Sequence, residues 1–337
     1  MPGPAAISDP SSAAGPGAVD ASTYLHPQTL ARLGSIELRA KHIVEGVTSG
    51  MHRSRHFGFS VEFAQHRPYS PGDDLRHLDW KVFGRSDKLH LKQYEQETNL
   101  DLVLLVDASG SMNFGTRNYA DASGTGQRQS HRGHARWTKY DHATATAAAI
   151  AYMAIRQGDR VGLGMFADAL VDAIDRSSQK GQWRKVVRSL ATHTVERPTD
   201  FPRVIDQTLG KLNTRCLVTI ISDFFADPHQ IRAALARLRH RRHDVILVQI
   251  MDTAEATFAL DESAPFEGLE GEGRLRVDPR ALRKGYLEAL ERHNTTLDRL
   301  VRGFGFDLAR TTTNEWLGPT LAAFMARRNG ALKLGGR

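Results

Sequence analysis

Four short apolar runs mark the middle of the chain, at residues 102–106, 161–166, 217–222 and 245–251. Between them the pattern changes to helical spacing, at 140–157, 182–193, 201–212 and 229–241. Continuous apolar strands alternating with helices predict a mainly parallel sheet buried on both faces, a doubly wound α/β domain. Residues 170–174 follow the second run after a short turn and read as an antiparallel edge strand. Beyond the fourth run, a long helix is predicted over 281–301, a short strand over 306–310 and a last helix over 314–328. Ahead of the first run, Leu30, Leu33, Ile36, Leu38, Ile43 and Val44 recur at helical spacing within 27–47. The stretch 50–99 is rich in Arg, His, Gly and aromatics and reads as strands and turns.

This gives a tail at 1–26, a helix and a small β-rich element at 27–99, the α/β domain at 100–330 and a short tail at 331–337. Two segments read as solvated loops: 114–138, polar and glycine-containing, and 261–273, acidic and glycine-containing. His131, His134 and His142 match no standard zinc spacing and are assigned to the solvated surroundings of the first loop.

Composition narrows the function classes. The 337 residues include a single cysteine, Cys216, which excludes a disulfide framework and a multi-cysteine metal site. It sits against an apolar run and is expected to act as a small buried hydrophobe in a reducing compartment. No run approaches the ~18 apolar residues of a membrane span, and the first 26 residues have neither the basic start nor the apolar block of a signal peptide, so a cytoplasmic location is expected. The formal charge is +7, and residues 274–337 alone hold 13 Lys+Arg against 6 Asp+Glu. Those cations interleave with leucines, as on the solvated face of an amphipathic helix, and no aromatic residues are interleaved for base stacking. Nucleic acid is therefore not the expected partner.

The chemistry gathers where strands end. The first strand runs into Asp107-Ala-Ser109-Gly-Ser111, and the third ends at Asp223. In an open α/β sheet, ligands bind in the crevice at the carboxyl ends of strands. A carboxylate followed by two hydroxyls at alternate positions is a hard oxygen donor set, suited to Mg²⁺, with Mn²⁺ or Ca²⁺ as alternatives. Thr199 and Asp200 stand before the helix at 201–212 and have an N-cap reading of their own. Asp223 likewise has a reading as a cap of the turn before Pro228. A phosphate-ester hydrolase using Asp107 and Asp223 is the rival class, but residue 109 is Ser where the aspartate-nucleophile pattern has a second Asp. No G-x-x-x-x-G-K-[ST] loop is present either.

Asp107-x-Ser109-x-Ser111, with Thr199 and Asp223 downstream, resembles the metal-ion-dependent adhesion site of von Willebrand factor A domains. The resemblance implies direct metal contacts from Ser109, Ser111 and Thr199, mostly water-mediated contacts from Asp107 and Asp223, and an acidic partner group completing the coordination. Thr192 and Thr194 are nearby alternatives to Thr199. A longer match lies upstream. Arg67-Pro-Tyr69-Ser-Pro-Gly72-Asp73-Asp74-Leu-Arg76-His-Leu-Asp79-Trp80 resembles the signature of a bacterial family known as domain of unknown function fifty-eight. The similarity continues through Lys92-x-Tyr94-x-x-Glu97, Thr138-Lys-Tyr140-Asp141, the Gly158–Leu163 run and Val277-Asp-Pro-Arg280. It implies a non-enzymatic adaptor assisting a MoxR-type AAA+ ATPase. Within the signature, Asp73, Asp74 and Asp79 interleave with Arg67, Arg76 and Arg85 and are expected to form an ion-pair network. Tyr69 and Trp80 are expected to anchor the element to the α/β domain, and the whole run is a candidate partner-docking surface.

Overall fold

The computed structural model describes residues 44, 65–69, 78–93, 100–119, 129, 135–179, 181–193, 195, 197–259, 265–267, 269, 273–276, 278–315, 317–322 and 324. In chain order the elements are β1 (Gln65–Pro68), α1 (Trp80–Ser86), β2 (His90–Gln93), β3 (Asp101–Asp107), β4 (Arg117–Asn118), β5 (Arg136–Trp137), α2 (Lys139–Arg156), β6 (Arg160–Phe166), β7 (Leu170–Ser177), α3 (Gln182–Thr192), α4 (Phe201–Leu209), β8 (Leu217–Ser222), α5 (Pro228–His240), β9 (Asp244–Met251), α6 (Thr253–Thr257), β10 (Pro265–Glu267), β11 (Arg274–Arg276), α7 (Pro279–Gly303) and β12 (Asp307–Thr312).

Six strands form one sheet in the order β12-β9-β8-β3-β6-β7. All neighbours run parallel except the edge pair β6–β7, which is antiparallel. The α/β class, the doubly wound sheet and the antiparallel edge are those expected from the apolar pattern. Alternate residues of β3 feed two separate cores. Leu102, Leu104 and Val106 pack with α2 and α3, while Val103 and Leu105 pack with α4, α5 and α7. That double burial is why the central strands read as unbroken apolar runs. The edge strand β7 is covered less fully, and its burial alternates along its length.

The central helix α2 is buried on nearly every side. Its alanine-rich sequence suits that place, because small side chains let it lie close to the sheet without carving cavities. Tyr140 donates from its hydroxyl to the Leu190 carbonyl at 3.0 Å, and Trp183 Nε1 donates to the Ala148 carbonyl at 3.2 Å, fastening α3 to α2.

Several expectations are corrected. The 114–138 segment is not wholly solvated: it contains the antiparallel pair β4–β5, and Tyr119 and Trp137 are completely buried with their rings 6.1 Å apart. His142 lies inside α2 and is completely buried, not in a solvated loop. The 50–99 stretch includes a helix, α1, held by an Asp79 cap whose carboxylate accepts from the Lys81 and Val82 N–H groups at 2.9 and 3.3 Å. Trp80 does not anchor the element: it is 66% exposed, with Phe83 edge-on at 6.2 Å. The predicted helix at 27–47, apart from Val44, lies outside the described residues, as do both tails, His131, His134, Thr194 and the end of the 314–328 helix. Asp73, Asp74 and Arg76 lie outside them too, so the ion-pair network expected of the signature falls largely there. Arg67 lies on β1, paired with Leu91, and Tyr69 follows it with its N–H on the Leu89 carbonyl at 3.0 Å.

Candidate functional site

The strand order reverses direction between β3 and β8. From β3 the chain winds outward through β6 to β7, and from β8 it winds the other way through β9 to β12. A crevice opens at the carboxyl ends of strands where winding changes sense. Asp107 ends β3 and Asp223 directly follows β8, so both carboxylates arrive at that point. Both are buried.

Asp107 is held on both oxygens. Its Oδ1 accepts from the Ser109 N–H at 2.8 Å, and its Oδ2 accepts from the Ser222 hydroxyl at 2.6 Å. The Ser109 and Ser111 hydroxyls lie 3.1 Å apart, at the start of a single 3₁₀ turn spanning Gly110–Asn113. The loop carrying Thr199 is brought alongside by the backbone. Ser109 forms a parallel bridge with Arg197, and the Gly110 N–H donates to the Arg197 carbonyl at 2.8 Å. Thr199, two residues on, is half-buried there. Asp200 caps α4 by accepting from the Arg203 N–H at 3.1 Å, as its N-cap reading predicts. Thr192 remains at the exposed end of α3. Asp223 accepts from the Phe225 N–H in the turn before Pro228, as its capping reading predicts, while Asp227 caps α5 by accepting from the His229 N–H at 2.8 Å.

Asp223 has a different neighbour, one that sequence reasoning passed over. The Lys139 ammonium donates to Asp223 Oδ2 at 2.8 Å and to Glu255 Oε1 at 2.8 Å, and the lysine side chain is wholly inaccessible to solvent. Asp223 Oδ1 accepts from the Phe225 N–H at 3.1 Å. The ammonium also lies 5.1 Å from the centre of the Phe225 ring and 6.0 Å from that of Phe114. The chain folds this way for local reasons. Thr138 and Asp141 form a capping box that starts α2 at Lys139, and Asp252 and Glu255 form a second that starts α6. Asp252, completely buried at the end of β9, accepts from the Thr116 hydroxyl at 2.6 Å and from the Thr313 hydroxyl at 2.9 Å.

Electrostatics follow from that burial. Desolvation, reinforced by the negative charge of Asp223, pushes the Asp107 carboxyl from its ordinary 3.8 up to about 7, against the hydrogen bonds from Ser222 and Ser109. Burial works against the Lys139 ammonium, but Asp223 and Glu255 outweigh it and raise its pKa above the ordinary value. Burial raises the Glu255 carboxyl, with Lys139 opposing. Tyr286, near the same charges, is pushed up to about 12 by burial and by Glu255.

Among the described residues no group of three or more His, Cys, Asp or Glu side chains is placed to hold a metal. At the β3–β8 crevice stand two carboxylates and the Ser109 and Ser111 hydroxyls, with Thr199 on the adjoining loop, oxygen donors of the kind that suit a hard cation. Three signals in the sequence were available for the missed residues. Asp252 ends a strand just as Asp107 and Asp223 do. Asp252-x-x-Glu255 is a capping-box spacing. Lys139 lies inside the Thr138-Lys-Tyr140-Asp141 match.

The model of the family described as protein of unknown function DUF58 matches residues 65–296. The chain belongs to the DUF58 family. Uncharacterized protein Rv1480 of Mycobacterium tuberculosis is 28% identical over 314 residues, covering 91% of this chain and 92% of its own length. Uncharacterized protein Mb1516 of Mycobacterium bovis matches to the same extent, at 28% over 314 residues. Among solved structures, BatB from Bacteroides thetaiotaomicron aligns over 70% of this chain and 99% of its own, at 12% identity and TM-score 0.40. The SpRpn10 VWA domain aligns over 66% of this chain and 94% of its own, at 10% identity and TM-score 0.39. For this DUF58 member, it is the strand order above that carries the fold assignment. No helix among the described residues is long and apolar enough to cross a membrane.

Proposed function

We propose that this DUF58 protein is a non-enzymatic adaptor that binds a partner protein through a divalent cation held by Asp107, Ser109, Ser111, Thr199 and Asp223. Mg²⁺ is the first candidate, with Mn²⁺ and Ca²⁺ as alternatives. The observation that carries the reading is the convergence of the β3, β8 and Thr199 loops at the point where the sheet's winding reverses. The ion supplies an open coordination position, which is a receptor for an acidic side chain. The protein's own residues orient that position. Ser222 and the Ser109 N–H fix Asp107, and Lys139 and the Phe225 N–H fix Asp223. The partner we propose is a MoxR-type AAA+ ATPase, as the resemblance of the Arg67–Trp80 signature implies, with a client protein engaged through an acidic residue. Both oxygens of Asp107 already accept hydrogen bonds in a buried setting, which counts against its use as a nucleophile in phosphate-ester hydrolysis.

The test is a pull-down from host lysate with the full chain, in Mg²⁺ and in chelator, for wild type and Asp107→Ala. Retention of an AAA+ ATPase only with metal and intact Asp107 is the expected result. Retention regardless of both moves docking away from this site, towards the signature run ending at Trp80. No ATPase under any condition overturns the assignment of partner.

A further inference from the structure

Lys139 has no solvent access and pairs with one candidate metal-site carboxylate, Asp223, and with Glu255 outside that set. An apolar residue filling the same volume generally serves a core as well as a buried ion pair does. Its placement relative to the site is specific. The ammonium engages the Asp223 oxygen that the Phe225 N–H does not, so both oxygens of that carboxylate are fixed. Asp223 and Glu255 share the one ammonium, so the carboxylates it touches outnumber it. Asp252, whose N–H donates to Glu255 at 3.0 Å, adds a further carboxylate, held by Thr116, Thr313 and the Ala254 N–H.

We infer that Lys139 sets the charge selectivity of this site: a tethered positive charge that fixes Asp223 and biases the site against ions of higher charge. The inference rests on the proposed metal-binding reading and goes beyond it by assigning a selectivity role to a residue outside the ligand set. Lys139 acts through Asp223 and is a positioning residue. Without the ammonium the site is one unit more negative, and its preference shifts towards a trivalent ion. With Glu255 neutralised and Lys139 intact it is one unit less negative, and the preference moves the other way. Purely structural roles for Lys139 and Glu255 predict a different outcome: both substitutions loosen the site and weaken every ion alike.

The experiment uses the full-length protein with Mn²⁺ alone and then La³⁺ as competitor. Free Mn²⁺ is followed by its electron paramagnetic resonance signal. Wild type, Lys139→Met, Glu255→Gln and, as the site control, Asp107→Asn are compared. Lys139→Met is expected to raise the La³⁺ over Mn²⁺ preference about tenfold or more, since a unit charge removed at this range acts more strongly on a trivalent than on a divalent ion. Glu255→Gln is expected to lower that preference by a similar factor and to weaken Mn²⁺ binding. An unchanged ratio in both variants, with Mn²⁺ still bound, overturns the inference and leaves the metal site standing. If Lys139→Met does not fold, the Glu255→Gln ratio decides by itself, a fall supporting the inference and an unchanged value overturning it. Folded wild type that shows no Mn²⁺ binding dependent on Asp107 overturns the metal site and this inference with it.

Discussion

On the proposed metal-binding reading, proton and metal compete for Asp107, and the competition is measurable as stability. The carboxyl titrates near 3.8 when the chain is unfolded and at about 7 when it is folded. Because the folded value is the higher one, folding takes up a proton in that window. The stabilising contribution is complete below pH 3.8 and is lost as pH rises through about 7. Roughly three pH units at about 1.4 kcal/mol each put the ceiling near 4 kcal/mol. His142 acts in the opposite direction. Burial and the Arg117 charge depress it from 6.5 to about 3, so between those values stability rises with pH. In wild type the two slopes oppose each other across most of the acidic range. Asp107→Asn keeps the acceptor for the Ser109 N–H and a donor for the Ser222 hydroxyl, mimicking the protonated acid. Denaturant unfolding of both proteins in chelator, from pH 4 to pH 8, isolates the Asp107 contribution as a difference. The two should be about equally stable at pH 4. By pH 8 the variant should be the more stable, by up to about 4 kcal/mol. Added Mg²⁺ should restore wild type at pH 8 and leave the variant unmoved. A difference that stays flat with pH in chelator, or equal stabilisation of both proteins by Mg²⁺, refutes the reasoning.

Other substitutions test the supports of the site. A Cβ at Gly115 stands 2.2 Å from the Trp137 carbonyl oxygen, a backbone atom that cannot turn aside. Gly115→Ala should therefore cost about 3 kcal/mol, read by denaturant midpoint, and should weaken Mn²⁺ binding because Lys139 follows the displaced strand closely. Thr138→Ala removes the acceptor for the Asp141 N–H, a 3.1 Å bond. It should lower stability by about 1 kcal/mol, a melting shift of about 3 °C by calorimetry. Trp80→Ala should leave stability within about 0.5 kcal/mol, since the ring is mostly exposed, and a larger loss would show that it is covered in solution.

The strands were legible because burial on both faces leaves no solvent-facing position and few polar residues in the run, as in β8 and β9, where every residue is buried. The acids at the ends of β3 and β8 were legible because a strand's end can be located from the same pattern. Lys139 was not, since its partners lie 84 and 116 residues away and no local period signals a contact of that span. Tyr119 and Trp137 were hidden for a related reason: one aromatic in a polar stretch gives no periodicity, and its burial is decided by packing from elsewhere. The helix α1 escaped because its start depends on the Asp79 cap and not on an apolar stripe; none of its residues is buried.

The pairing of Asn118 with Arg136 fixes the two ends of the intervening chain side by side, with a buried aromatic next to each. Once the ends of a loop are held together, its length has little thermodynamic weight: doubling it costs only about 0.6 kcal/mol in closure entropy. The chain between Tyr119 and Ala135 can therefore lengthen, shorten or change composition over evolutionary time at little cost to the sheet. The clamp makes this the natural position for grafting a reporter or an epitope, and the first place to expect homologous chains of this family to differ in length.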